Sequence, residues 1–255
     1  MLPSASLPMP SSWRELLQEL EPVFSRRSTH RLFAALACGM IVCGGRRTVV
    51  ALAAAAGMAR QWRRACWFFS GASWDIDALG LAVARLIVKY LPGDGAPVTA
   101  AVDGTFFARR GKKAAQARWA YNGAAHGGKK ITFGNTWAAA AIVAELPFCS
   151  SPVALPVLFR LWRGKGTASQ ADLAAQMPAM LVTAFSGRQV HGTGDAAFHG
   201  QALVTGGPPG RHGCPPARCC TGRSPLRPAG AAGLRERGNG WAPARISPRR
   251  QPGRP

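Results

Sequence analysis

Acidic residues are scarce in this chain. Its 255 residues include 11 Asp and Glu against 32 Lys and Arg, a formal net charge of +21. So one-sided a balance sets up a positive field, whose commonest soluble target is nucleic acid. GC-rich coding DNA also yields Arg-rich chains, and the excess Arg here is spread along the sequence. No apolar run is long enough to span a bilayer, which takes about 20 residues. The best candidate, 32–42, ends at Gly44-Gly45-Arg46-Arg47, so no membrane association is expected. Residues 1–13 have no basic residue and no apolar core segment, so no signal peptide is expected. Paired CxxC motifs at zinc-finger spacing are absent among the seven Cys, which argues against a structural zinc. An odd Cys count without a secretory signal points to a reducing, cytoplasmic setting.

What is present divides the chain by composition. Residues 1–10 carry three Pro and read as a disordered lead. From 11 to 91 the apolar spacing is helical, and five helices are expected. Ser11-Ser12 caps the first over 13–20, and Ser28-Thr29 the second over 30–42. Thr48 caps the third, 59–69 forms the fourth, and Ser73 starts the fifth. Ile76, Leu79, Val83, Leu86 and Ile87 are expected on the buried face of that fifth helix. The third helix, a Gly-containing break and the fourth have the spacing of a helix-turn-helix. Arg60, Arg63 and Arg64 then lie on the second helix of the pair, either touching DNA or forming a solvated face over packed aromatics.

Beyond Pro97 the period shortens. Strands are expected at 98–103, at 131–143 with a kink near Gly134-Asn135, at 155–162 and at 189–195. Ser169 caps a helix before the last of them. The pattern is three antiparallel strands, a crossover helix and a further strand. Two of these strands end on acids, Asp103 before Gly104 and Asp195 after Gly194. Carboxylates delivered to neighbouring strand ends suit a divalent cation with oxygen ligands, Mg2+ or Mn2+. Each also has a plain local role, Asp103 closing an Asx-turn and Asp195 capping a helix at Ala196. Arg109, Arg110, Lys112 and Lys113 follow the first acid in a loop suited to phosphate contacts. Arg160, Arg163 and Lys165 form a second basic cluster that either tracks a DNA backbone or lines a solvated edge.

The segment from about Val98 to Gly200 resembles the catalytic core of DDE-superfamily transposases from bacterial insertion sequences. The resemblance lies in Val102-Asp103-Gly104-Thr105, Phe133-Gly134-Asn135-Thr136-Trp137, the run 155–162, and Gly194-Asp195-Ala196-Ala197-Phe198-His199-Gly200. It implies an α/β fold: a ribonuclease-H-like mixed sheet preceded by an all-helical N-terminal domain. It implies Asp103 and Asp195 as the first two acids of a metal-binding triad, double-stranded DNA as partner, and a homodimer assembled on DNA. The expected divisions are 1–10, the helical DNA-binding domain 11–91, the partial catalytic domain 96–202 and the tail 203–255.

The family's third acid is a Glu on a later helix, and here the chain departs from the pattern. Residues 203–255 contain ten Arg, no Lys and one acid, Glu236, which is crowded by Gly238, Gly240 and Pro243. Such a segment buries too little apolar surface to offset chain entropy. It reads as a disordered or out-of-frame tail, and the expectation is a truncated or frameshifted transposase without activity. Two alternatives stand beside this one: a non-catalytic DNA-binding protein, and another metal-dependent phosphohydrolase using the same two Asp. The large positive charge speaks against the latter.

Overall fold

A computed structural model describes residues 9–91, 93, 95–111, 113–125, 130–164, 166–195 and 198. The tail from 203, Glu236, His199, Lys112, Lys165 and most of the lead lie outside the described residues. The chain divides into two units, Met1–Thr221 and Gly222–Pro255, and all described residues belong to the first.

Helical spacing upstream of Leu91 produces α1 (Ser11–Glu19), α2 (Arg27–Val42), α3 (Val49–Ala55), α4 (Trp62–Ser70) and α5 (Ile76–Tyr90), with single 3-10 turns at Glu21–Val23 and Ala59–Gln61. In α2 the residues Thr29, Leu32, Leu36 and Gly39 recur at three- and four-residue intervals and are buried. Leu32 and Leu36 join Leu52 and Ala53 of α3, and Ala65 and Phe68 of α4, in one apolar cluster with Phe24 and Met58. Trp74 stacks on Phe68 with ring centroids 5.5 Å apart. Thr48 caps α3 as its chemistry suggests, accepting the Ala51 N–H at 3.2 Å.

Four helix starts differ from expectation. α4 begins at Trp62 rather than at Ala59, so Arg60 sits in the 3-10 turn ahead of it. Ser11 is the first helical residue rather than a cap, and Pro10 precedes it, its fixed φ suited to that place. α2 begins at Arg27, which puts Thr29 inside it and buries it. α5 begins at Ile76 because Asp75, not Ser73, accepts the Asp77 and Ala78 N–H groups at 2.8 and 3.0 Å. Ile76 is consequently 57% exposed, and the buried stripe is Gly80, Ala84 and Val88.

The strands are β1 (Val98–Ala108), β2 (Arg118–Tyr121), β3 (Ile131–Ala144), β4 (Val153–Leu161) and β5 (Val190–Gly194), with α6 (Gln170–Ala184) before β5. They form one mixed sheet. β1 pairs antiparallel with β3 and parallel with β5, β4 pairs antiparallel with the far side of β3, and β2 pairs with the first four residues of β3. The crossover from β4 through α6 to β5 is thus the connection that a parallel neighbour requires. Val98, Ala100 and Val102 alternate into a core with Ala138, Ala140, Ile142, Leu158, Val190 and the α6 residues Ala174, Met177 and Leu181. Ala84 and Val88 of α5 belong to this same core. Ser169 and Asp172 close a reciprocal capping box on α6.

The sheet corrects the sequence reading in three places. β1 continues five residues past Asp103, because Gly104 pairs with Ala138 instead of turning and Thr105, Phe106 and Phe107 favour extended backbone. β2 was not expected at all. The register of β3 slips against β4 between Ala140 and Ala141, not at Gly134-Asn135, which stays in the ladder opposite Ala108 and Phe107.

Candidate active site and nucleic-acid interface

β1 and β5 are parallel neighbours, and their last register pair is Val102 with Gly194. The next residue on each chain is an acid, Asp103 and Asp195. Side chains one step apart along a strand point to opposite faces. Val102 faces the core, so Asp103 points to the face away from it, in register with Thr105 and Ala101. Both Asp are exposed. The two sequence-predicted acids are thus the residues that follow the last register pair of β1 and β5.

Local roles persist beside this arrangement. The Gly104 N–H donates to Asp103 Oδ1 at 2.7 Å, fixing the carboxylate against its own backbone. The Asp195 carbonyl accepts the Phe198 N–H at 2.9 Å. The Phe198 ring is buried in the sheet core, and a Cβ at Gly104 would stand 3.3 Å from Phe198 Cζ. Glycine at 104 lets that ring come close to the strand.

A cavity of about 880 Å³ opens beside Asp103. Its lining includes Gly104 and Phe106 of β1, the whole of β2, Thr136, Trp162 and Gln170 at the start of α6. Arg118 crosses it with the guanidinium carbon 4.1 Å from the Trp162 ring centroid and donates to the Trp162 carbonyl. Trp119 and Tyr121 are 71% and 64% exposed. The sequence reading passed over these three residues. Their signal was the alternation Arg118-Trp119-Ala120-Tyr121, short enough to be lost between two loops.

The basic residues fall into separate groups. Arg109, Arg110 and Lys113 are exposed on the segment between β1 and β2. Arg109 Nε donates to Asn135 Oδ1 at 3.0 Å, and the buried Asn135 donates in turn to the Ala115 carbonyl at 2.9 Å, which ties that segment to β3. Arg60, Arg63 and Arg64 are exposed on the second half of the α3–turn–α4 unit, where Gly57 takes a φ of +74°. Arg64 donates to Gln61 Oε1 at 3.2 Å, and Arg63 lies 5.6 Å from the Trp62 ring centroid. Arg160 is different. Its guanidinium grips Asp77 of α5 at 2.6 and 2.9 Å and touches Met180 of α6, with its side chain only 18% exposed. Arg163 is exposed.

Carboxylates offer hard oxygen donors, which Mg2+ or Mn2+ prefers. The fit is partial, since among the described residues no group of three His, Cys, Asp or Glu side chains converges on one point. Among the described residues, too, no helix is long and apolar enough to cross a membrane.

The fold and site thus define a mixed α/β protein with Asp103 at an aromatic-lined cavity. Over residues 19–193, more than half of the chain, the sequence matches the family model described as DDE superfamily endonuclease, and the chain belongs to that family. The match includes Asp103 and stops two residues short of Asp195. Neither the curated proteins nor the solved structures contain a significant match.

Proposed function

We propose that the chain is a transposase of the kind carried by bacterial insertion sequences, built to cut and rejoin double-stranded DNA and catalytically incomplete in its present sequence. The observation that carries the proposal is the acid pair: Asp103 and Asp195 follow the last register pair of two adjacent parallel strands. The strand order, with β1 inside and β5 parallel beside it, supports a ribonuclease-H-like reading of residues 96–202. The α3–turn–α4 unit with its exposed Arg supports a DNA-binding role for residues 11–91.

In this reading Asp103 and Asp195 hold a divalent cation, Mg2+ or Mn2+. Such an ion supplies activation of the attacking hydroxyl and charge stabilisation at the leaving oxygen. The chain's own part is to position DNA. Arg109, Arg110 and Lys113 bind phosphates flanking the scissile bond, and Arg60, Arg63 and Arg64 hold the duplex at a distance from it. Arg160 takes no part, because Asp77 already neutralises it. Two copies acting on two DNA ends complete the assembly. The family's third acid has no counterpart, since Glu236 is the only carboxylate after Asp195 and lies in a Gly/Pro/Arg setting. Losing one ligand removes much of the stabilisation of the transition state.

The test is incubation of the full chain with supercoiled DNA and Mg2+ or Mn2+. Binding that weakens steeply with salt, without nicking, is expected. Nicking that disappears in Asp103→Ala overturns the incompleteness. Turnover of a small phosphate ester with no affinity for DNA overturns the transposase reading in favour of a phosphohydrolase.

A further inference from the structure

The ladder between β1 and β5 ends at Val102 and Gly194, one residue before each acid. Ladder hydrogen bonds fix the spacing of paired residues, so they do not by themselves set where Asp195 stands relative to Asp103. Phe198 reaches both strand ends. Its ring is 6% exposed and belongs to the core that holds Val102, Ala138 and Met177. A Cβ built at Gly104 would stand 3.3 Å from Phe198 Cζ and 3.8 Å from its Cε2. One built at Gly194 would stand 3.8 Å from Phe198 Cβ and 3.4 Å from the Val102 carbonyl oxygen. Each of these glycines adjoins an acid, Gly104 after Asp103 and Gly194 before Asp195. The Phe198 N–H also donates to the Asp195 carbonyl at 2.9 Å. A role in the core asks only that the ring be buried. It does not ask that the ring lie over the residue next to one acid while its backbone is bonded to the other.

We propose that Phe198 is a positioning residue for the acid pair. Its ring, seated over Gly104, anchors the chain that leaves β5 and so sets Asp195 against the strand that carries Asp103. The inference rests on the reading of the two acids as one site. Groups that orient a metal's ligands matter because a cation tolerates little error in ligand placement. Glycine at 104 is then part of the same device. A side chain there would press on the ring, and at 3.3 Å the ring has to give by a few tenths of an ångström. Interiors are close-packed, so the ring's displacement passes to the backbone that it anchors.

The test uses the full chain and two readouts. One is amide hydrogen exchange without metal, and the other is Mn2+ retention on DNA by electron paramagnetic resonance. The control is Met177→Ala, which opens a cavity in the same core from α6. Phe198→Ala is expected to lose exchange protection over 190–194 while the β1–β3 ladder keeps its own. Its affinity for Mn2+ is expected to fall about 10-fold. Phe198→Leu, which keeps the site apolar, is expected to lose less of both and covers the case that Phe198→Ala does not fold. Met177→Ala is expected to lower the urea midpoint with Mn2+ affinity unchanged. Gly104→Ala is expected to weaken Mn2+ retention, and Phe198→Leu in that background to lose less than the two single losses together. If the Phe198 variants match Met177→Ala in both readouts, or the Gly104 and Phe198 losses simply add, the positioning role is overturned and the acid pair stands. If the parent chain retains no Mn2+, the acid-pair reading is overturned and the positioning role with it.

Discussion

Replacing Gly80 by Ala sets two effects of opposite sign against each other. Gly80 is inside α5, where Ala is favoured over Gly by about 1 kcal/mol from backbone propensity alone. The packing opposes this. A Cβ at position 80 would fall on the Val157 carbonyl oxygen and 2.8 Å from Leu158 Cδ2. The oxygen belongs to the sheet backbone and cannot swing aside, so α5 has to lift from β4. Lifting it loosens Ala84 and Val88 from the core they share with Val157 and Leu158. Overpacking of this kind costs about 1–3 kcal/mol. The shift also strains the Asp77–Arg160 pair one turn earlier on the same helix. The net expectation is destabilisation of up to about 2 kcal/mol, propensity included. Urea denaturation followed by far-UV circular dichroism measures it, with Gly44→Ala as control, since a Cβ at Gly44 meets nothing within 4 Å. A higher midpoint for Gly80→Ala would refute the seating of α5 on β4.

Other expectations follow from single contacts. Asp77→Ala leaves a guanidinium that is 18% exposed without its carboxylate. The loss expected in urea denaturation is about 2 kcal/mol, between the values for exposed and buried pairs. Ser169→Ala removes the cap of α6 and is expected to cost about 1 kcal/mol in the same assay. The Ser169 hydroxyl, and then its N–H, hold the Asp172 carboxyl below its usual range. That contribution is present above the carboxyl's unfolded pKa and is lost as pH falls through the lower folded value. Acid should therefore narrow the stability gap between the parent chain and Ser169→Ala, as denaturation at a series of acidic pH values would show. Arg63→Ala should weaken duplex binding and lower the salt slope by about 0.9 if Arg63 neutralises one phosphate, read by anisotropy over a salt series.

Local chemistry made some of this legible in the sequence. Thr48 and Ser169 read as caps because a side-chain oxygen before a helical run has an N–H to accept, and both accept one. Asp103 stood out because it ends an apolar run before Gly104, and Asp195 because it follows Gly194 at the end of the last expected strand. Gly104 misled on strand length, since its turn preference is overridden by the ladder with Ala138. β2 is only four residues long and gains its pairing from β3, which single-segment periodicity does not register. Arg160 looked like any basic residue on an edge, because its partner Asp77 lies 83 positions away in sequence. Ile76 matched the apolar period of α5, yet the buried stripe is the small-residue line Gly80, Ala84 and Val88, chosen by how closely the sheet approaches.

If Asp103 and Asp195 act as one site, as proposed, the two carboxylates share one cation. Titration of Mn2+ into the DNA-bound chain, with free ion followed by electron paramagnetic resonance, tests it most directly. The parent chain is expected to retain ion, Asp103→Asn and Asp195→Asn each to release it, and the double substitution to add nothing further. Retention undiminished in both single variants, or two independent losses that sum in the double, would contradict it.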